Sequence, residues 1–405
     1  METQREFDVV LYGATGFTGK QAALYYAANV PRTQTRWALA GRSLDKLELL
    51  RKQLGDGFED LPLLCADSHD SQALRAMTAR CQVVQTTVGP YARYGEELVK
   101  ACIETGTDYV DITGETPWVR HLIDSYHAQA QAAGVRIVNF CGVDSVPSDL
   151  GAFLLASVAR SKGDMLGPVQ GLFNLRGGGL NGGTLASALN MLESGQLALA
   201  QKPFLLNPGS EQDRIGPIDQ KSVNWNADFW VWTTPFVMAP VNTRVVRRSE
   251  ALYRLAGMPY GPDFKYDEAM WMDELLPAAS LGIAGTSLLM DEVVKLPAVL
   301  KLLKQYGPKP GEGPSEAVMN RSNMSVWFSA RTRGGHTLKA SFFAEGDPGN
   351  RVTVKLLSES ALTLVHARHE LPSEFGGGIL TPATALGQPL ITRLRAAGIK
   401  IDVKP

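Results

Sequence analysis

The sequence predicts an α/β protein: an amino-terminal doubly wound parallel sheet, then a second α+β domain with a mixed or antiparallel sheet. Three observations carry this. Six short apolar runs in the first 145 residues each give way to a helical pattern, the alternation that builds a parallel sheet with helices on both faces. The first run ends in glycines three apart, Gly13, Gly16 and Gly19. Beyond Ser145 the alternation stops, and strand-like runs return only towards the carboxyl end.

In order, the expected strands are residues 9–12, TRWALA (35–40), LPLLCAD (61–67), CQVVQTTVGPY (81–91), DYVDITG (108–114) and VRIVNFCG (135–142). Between them lie helices signalled by Ser68 or Asp70 as an N-cap and by Pro117 in a first turn. After Ser145, VPSDLGAFLLASVARS reads as a helix and GPVQGLFNLRGG as a strand running into a glycine cluster at 176–184. That cluster reads either as a backbone anion or carbonyl site or as a hinge. Trp225, Phe229, Trp230, Trp232 and Phe236 crowd into twelve residues, a density commoner in cores and interfaces than in ligand boxes. Residues 274–307 read as helices broken by Pro277 and Pro297, the second amphipathic; packing on its own domain is the first reading, with an interfacial helix or acyl-binding groove open beside it. PKPGEGPSE reads as an exposed linker. SVWFSARTRGG, HTLKASFFAEG and NRVTVKLLSE read as antiparallel strands, and a final helix starts at Thr381-Pro382 and stops at Gly398.

With 405 residues, more than one core is expected: 1–145 for the nucleotide-binding domain, 146–375 for an α+β domain serving substrate and dimerisation, and 376–405 for a helix returning to the first. The net charge of −1 gives no overall attraction for nucleic acid or anionic lipid. The four cysteines, Cys65, Cys81, Cys102 and Cys141, lack metal-ligand spacing and read as small buried apolar groups; no metal is expected. The polar start METQREFD and the absence of a long apolar run predict a cytoplasmic chain with no transmembrane helix. Peripheral membrane contact and a homodimer stay open.

A loop that presses its backbone against a pyrophosphate needs residues without Cβ atoms, followed by a helix offering unpaired N–H groups. The stretch Gly13, Ala14, Thr15, Gly16, Phe17, Thr18, Gly19 supplies both, though a structural turn is as good a reading of the glycines alone. The second strand ends at Gly41 and is followed by Arg42 and Ser43, where such folds read the ribose. A guanidinium there favours a 2′-phosphate, which predicts NADP(H) rather than NAD(H); Ser43 adds a donor or caps the next helix. Asp67, ending the third strand, serves either the adenine amino group or an N-cap.

The phrases GATGFTG, ALAGRS, TTVGPYARYGEELVKACIETGTDYVDITGE, NFCGVDSVPSDLG, PGEGPSE, GDPGN and GGILTPATALG together resemble the saccharopine dehydrogenase-like oxidoreductases, and among them the bacterial trans-acting enoyl reductases. The resemblance implies a Rossmann domain, an inserted α+β domain and a returning carboxyl-terminal helix. It also implies NADPH-dependent reduction of a double bond in a polyketide-derived lipid chain. One departure is Asn350, where the family more often has an aromatic residue after GDPG.

Hydride transfer needs the nicotinamide held against a substrate, with a donor or cation for the developing charge. Thr87, Val88, Gly89 and Pro90 leave the fourth strand at the cofactor edge and are expected to line the nicotinamide ribose, with Tyr91 as a hydroxyl donor. Asp111, Thr113, Gly114 and Glu115 follow the fifth strand; Cys141, Gly142, Asp144 and Ser145 follow the sixth, with Asp144 the second candidate catalytic residue. Asp111 and Asp144 serve equally well as turn-holding carboxylates. His121 and His127 read as surface residues. The chain has no Tyr-x-x-x-Lys, which argues against the short-chain dehydrogenase mechanism. Three functions remain: reduction of an unsaturated acyl chain; a saccharopine-type C–N oxidoreduction, for which Arg244, Arg247, Arg248 and Arg321 would have to converge on a polycarboxylate; and NADP(H) binding without turnover at a lipid surface.

Overall fold

The computed structural model describes residues 5–179, 181–272, 305–309 and 311–404. Two seven-stranded sheets organise them. The first is wholly parallel. It consists of β1 (Phe7–Tyr12), β2 (Trp37–Gly41), β3 (Leu63–Cys65), β4 (Cys81–Thr86), β5 (Asp108–Val110), β6 (Arg136–Val138) and β13 (Gly378–Leu380), in the spatial order β13-β6-β5-β4-β1-β2-β3. The second is mixed. It comprises β7 (Leu166–Arg176), β8 (Asn224–Asn226), β9 (Val231–Thr234), β10 (Lys265–Trp271), β11 (Asn323–Thr332), β12 (Thr337–Glu345) and β14 (Lys400–Lys404), ordered β14-β12-β11-β7-β10-β9-β8.

All six expected amino-terminal strands form, largely buried and mostly apolar as befits a sheet covered on both faces, except that β3 at the edge leaves Cys65 exposed. Asp70 caps the third helix through the N–H groups of Gln72 and Ala73, and Pro117 sits in the first turn of Thr116–Ala132. The chain order reverses between β1 and β4, which opens a crevice at their carboxyl ends.

The carboxyl-terminal segment does more than add a helix. Gly378–Leu380 pairs with β6 as the seventh strand of the parallel sheet, and Lys400–Lys404 pairs with β12 at the edge of the second sheet. Thr381 does cap, with Pro382 next, but the helix breaks between Pro382–Ala385 and Gly387–Ala396. NRVTVKLLSE is likewise helical: Thr353–His366 forms a helix buried on nearly every side, so tertiary packing overrides its β-branched start. PGEGPSE is largely exposed, as expected, but it is tied down at two points. Gly182 N–H donates to the Glu312 carbonyl at 3.0 Å, and a Cβ on Gly313 would lie 2.4 Å from the Phe17 ring. Cys81, Cys102 and Cys141 are buried as expected, but Cys65 is exposed. The helices expected between 274 and 307 lie outside the described residues except for 305–307. Among the described residues, no helix is long and apolar enough to cross a membrane.

His121 is exposed, but His127 is not a surface residue: its Nδ1 accepts the Ile379 N–H at 3.0 Å and so helps to seat β13. Burial and the nearby Arg248 push its pKa down to about 4. The folded value lies below the unfolded one, so His127 contributes fully above about pH 6.5 and its contribution fades as pH falls towards 4. Between pH 7 and 5 the wild type is expected to lose about 1–2 kcal/mol more unfolding free energy than His127→Asn, measured by urea titration. Equal losses would exclude His127 as the source.

Candidate active site at the carboxyl edge of the parallel sheet

The glycine loop shows three separate reasons for three glycines. Gly13 has φ +84°, and a Cβ there would lie 2.6 Å from Val88 Cγ2. Gly19 lets the helix Phe17–Asn29 descend on β1, since its Cβ would lie 2.1 Å from the Gly13 carbonyl oxygen. Gly16 is exposed, and the nearest atom to its Cβ position is the Gly13 oxygen at 3.4 Å. It is also the N-cap of that helix, with no side-chain cap. The first-turn N–H groups are thus left for a ligand, and the geometry fits a pyrophosphate resting over Thr15 and Gly16. Ala14 instead turns into the core, while Phe17 and Thr18 are half-buried.

Arg42 is exposed at the end of β2, and its side chain makes no hydrogen bond or ion pair to another described residue. Ser43 caps the helix Leu44–Gln53 by accepting Lys46 N–H at 3.5 Å. Asp67 is exposed and accepts the His69 N–H at 2.9 Å, so part of its capacity goes to its own turn.

The loop after β4 is bolted to the glycine loop. Thr87 N–H donates to the Tyr12 carbonyl at 3.1 Å and Thr87 Oγ1 to the Gly13 carbonyl at 3.3 Å. Val88, Gly89 and Pro90 are half-buried, and the Gly89–Pro90 peptide is cis. Glu115 clamps the residues after Pro90: its carboxylate accepts Tyr91 N–H (2.8 Å), Ala92 N–H (3.0 Å) and Ser187 O–H (2.9 Å). The last of these brings the helix Gly182–Glu193 over the edge. That helix is seated by the glycine cluster: Asn181 caps it, and Asp347 accepts Gly179 N–H at 3.0 Å. Asn350 is fully buried here, accepting from Asn181 Nδ2 and donating to Asp347 and to the Gly179 carbonyl. It holds this turn rather than lining a substrate surface.

The two catalytic candidates part company. Tyr91 is buried and stacked on Trp118; its hydroxyl donates to the Thr86 carbonyl and accepts Ile112 N–H, both at 3.4 Å. Burial raises its pKa well above the usual phenol range. Its hydroxyl is therefore engaged with main chain. Asp144 is half-buried beyond β6, its carboxyl without a hydrogen bond or ion pair to another described residue, and desolvation alone raises its pKa to about 6. Asp111 is the turn-holder: it accepts from Tyr109 O–H, Asn139 Nδ2 and the N–H groups of Thr113 and Phe140, and the last bond steadies Phe140 at φ +66°. Burial raises the Cys141 thiol pKa, which leaves it un-nucleophilic.

The arginines do not converge on an open site: Arg244 and Arg247 both face the protein's own Asp219. Arg244, Arg247 and Arg248 are buried. Arg244 pairs with Asp219; Arg247 donates to the Pro203 and Tyr266 carbonyls, and Arg248 to the Leu206 and Ile379 carbonyls. Arg321 is exposed on a different helix. A depression of about 400 Å³ bordered by Thr35, Glu359, His366 and Arg393 lies near the residues that lead into β2, at the sheet's opposite edge. Among the described residues no group of three His, Cys, Asp or Glu side chains could hold a metal.

A parallel sheet with a glycine-lined helix start at its switch point defines a dinucleotide-binding domain. Residues 9–138 match the family model of the saccharopine dehydrogenase NADP binding domain. The chain is 40% identical over 419 residues to a Mycobacterium tuberculosis protein provisionally named a trans-acting enoyl reductase (99% of this chain, 98% of that one). It is 38% identical over 418 residues to the trans-acting enoyl reductase of Mycobacterium leprae (98% of each chain). Saccharopine dehydrogenase (L-Glu forming) from Saccharomyces cerevisiae shares the fold, with a TM-score of 0.56 at 14% identity over 98% of this chain and 99% of that one. The chain belongs to the saccharopine dehydrogenase-like oxidoreductases, and is an NADP-dependent enzyme of that family.

Two outcomes test this geometry. Arg42→Ala is expected to weaken NADPH binding by roughly 10- to 100-fold and leave NADH binding unchanged in fluorescence titrations, the scale of a charge-assisted hydrogen bond. An equal loss for both nucleotides would deny Arg42 the 2′-phosphate. Tyr91→Phe is expected to retain turnover within a few-fold while losing about 1 kcal/mol of stability; a hundredfold loss of turnover would restore the hydroxyl as a donor.

Proposed function

We propose that this chain is an enoyl reductase, passing a hydride from NADPH to an unsaturated acyl or polyketide-like lipid substrate. The observation that carries the reading is Asp144, a carboxyl at the β6 edge that no described group holds and whose pKa lies near 6. Bound NADPH supplies the hydride. Addition at the β-carbon of an enoyl thioester moves the π electrons onto the thioester oxygen, and the α-carbon then takes a proton. Protonated Asp144 is the donor of that proton. Thr87, Val88, Gly89 and Pro90 orient the nicotinamide ribose, and Glu115 keeps that loop and the overlying helix in register.

The engaged state of Arg244, Arg247 and Arg248 supports an apolar substrate over an amino-dicarboxylate, which needs free cations. The names of the mycobacterial relatives support the same class.

The test is NADPH oxidation with a 2-enoyl thioester in parallel with α-ketoglutarate plus lysine. Turnover of the thioester alone is expected; turnover of the amino acid pair alone would overturn the reading. Asp144→Asn is expected to lower kcat at pH 7 by roughly 100-fold with NADPH affinity unchanged. Because the donor must carry its proton, wild-type kcat is expected to fall as pH rises through about 6. A flat profile from pH 5 to 8 would remove Asp144 from proton transfer.

A further inference from the structure

The second sheet has two unlike faces. On one, Leu172, Val231 and Ala269 form a small separate cluster with Phe229 and Trp271. The opposite face carries Phe173, Met324, Val326 and Phe342 into the main core, with Leu175 and Met270 half-buried against it. Strand registers place one row of side chains across this second face. Ala344 pairs with Met324 and Met324 with Leu175. Met272 follows Met270 by two residues and donates its N–H to the Trp232 carbonyl, and Trp232 pairs with Trp225. Since alternate residues share a face, Ala344, Met324, Leu175, Met272, Trp232 and Trp225 form a continuous apolar row with no charged member.

The row runs from buried to open. Ala344 and Met324 are buried, Leu175 and Met272 half-buried, and Trp232 and Trp225 are 53% and 48% exposed, packed edge to face at 5.4 Å. Trp230 stands beside Trp225, 76% exposed and held at φ +57°, a conformation a bulky side chain adopts only under constraint. The row meets the cofactor edge at Leu175, and Phe173, its neighbour on the same face, makes a second link. Leu175 is followed by Arg176 and the glycine cluster that seats the helix over Gly89 and Glu115. Phe173 stacks on Phe236 at 4.4 Å, and two residues on, Met238 approaches the Cβ position of Gly114 to 3.9 Å, just beyond β5.

We propose that the open half of this row, Leu175, Met272, Trp232 and Trp225, is the track for the hydrocarbon part of the substrate, leading from the cofactor edge to a mouth formed by the two tryptophans. The inference rests on the acyl-chain reading and adds the residues that set chain length. From Leu175 on β7 to Trp225 on β8 is three strand spacings, roughly 14 Å. A row without charge, continuous with the hydride-transfer edge, suits an extended alkyl chain better than a peptide, whose amides would be left without partners.

The test uses the full chain, Trp225→Ala/Trp232→Ala, and saturated and 2-enoyl thioesters of four and twelve carbons. Both tryptophans are half exposed, so the double variant is expected to fold, with unchanged NADPH affinity as the control. Without NADPH, saturated dodecanoyl thioester is expected to change tryptophan emission saturably in the wild type and to bind at least 10-fold more weakly to the variant. In turnover, KM is expected to fall with chain length by up to about 4-fold per methylene, the equivalent of ~0.8 kcal/mol. The variant is expected to raise the twelve-carbon KM about 10-fold or more and leave the four-carbon KM and kcat unchanged. Binding of the saturated chain without turnover of either enoyl thioester would keep the track and overturn the reductase reading. Turnover indifferent to chain length and to the double variant would overturn the track. So would a dimer, or binding to anionic phospholipid vesicles, that the double variant abolishes without any chain-length effect, since the tryptophans would then serve a second copy or a lipid surface.

Discussion

One buried carboxylate joins the parts of the chain that must meet for an active site to exist. Asp149, fully buried in the helix Val146–Ser161, accepts the Ser249 hydroxyl at 2.5 Å and the Ala383 N–H at 2.8 Å. These partners lie 100 and 234 residues further along the chain. The bonds fix the helix Ala239–Leu255 and the turn after β13 against the helix leaving the sixth strand. Burial raises the Asp149 pKa to about 7, and its hydrogen bonds from Ser249 and Ala383 offset that desolvation only in part. With that turn fixed, β13 can pair with β6, and the edge from which Asp144 projects becomes an internal part of the sheet rather than its margin.

The same logic of buried polar groups arranges the site. Glu115 and Asp111 sit a few residues apart after β5, yet both are consumed by structure: one holds the Tyr91 loop and the overlying helix, the other the Phe140 turn. Their engagement leaves Asp144, among the described acids that follow β5 and β6 directly, with its carboxyl unpartnered. The separation of roles follows from hydrogen-bond partners, not from residue type.

Much of the first sheet was legible because its strands are short, mostly apolar runs and its helix starts are marked by residues such as Asp70 and Pro117. The glycine loop was legible for a related reason: Gly13 and Gly19 answer to backbone geometry that no other residue meets. The features that escaped were long-range. GGIL reads locally as a lead-in to a helix, and only pairing with β6 makes it a strand; hence the His127 contact was invisible too. NRVTVKLLSE has strand-like β-branched residues, but its neighbours bury it as a helix. Tyr91 sits where a donor is wanted, and only the positions of Thr86 and Ile112 show its hydroxyl to be engaged. The apolar row on the second sheet could not be read at all, since its members come from five strands and the stretch after β10.

The proposed catalysis requires a dinucleotide lying across the β1–β4 crevice with its reactive end beside Asp144. The direct measurement is a crystal structure of the full chain with NADP⁺. The expected result has the 2′-phosphate against Arg42, the pyrophosphate on the N–H groups after Gly16, and the nicotinamide between the Gly89–Pro90 loop and Asp144. A nucleotide bound elsewhere, or a nicotinamide on the far side of Glu115 from Asp144, would contradict it.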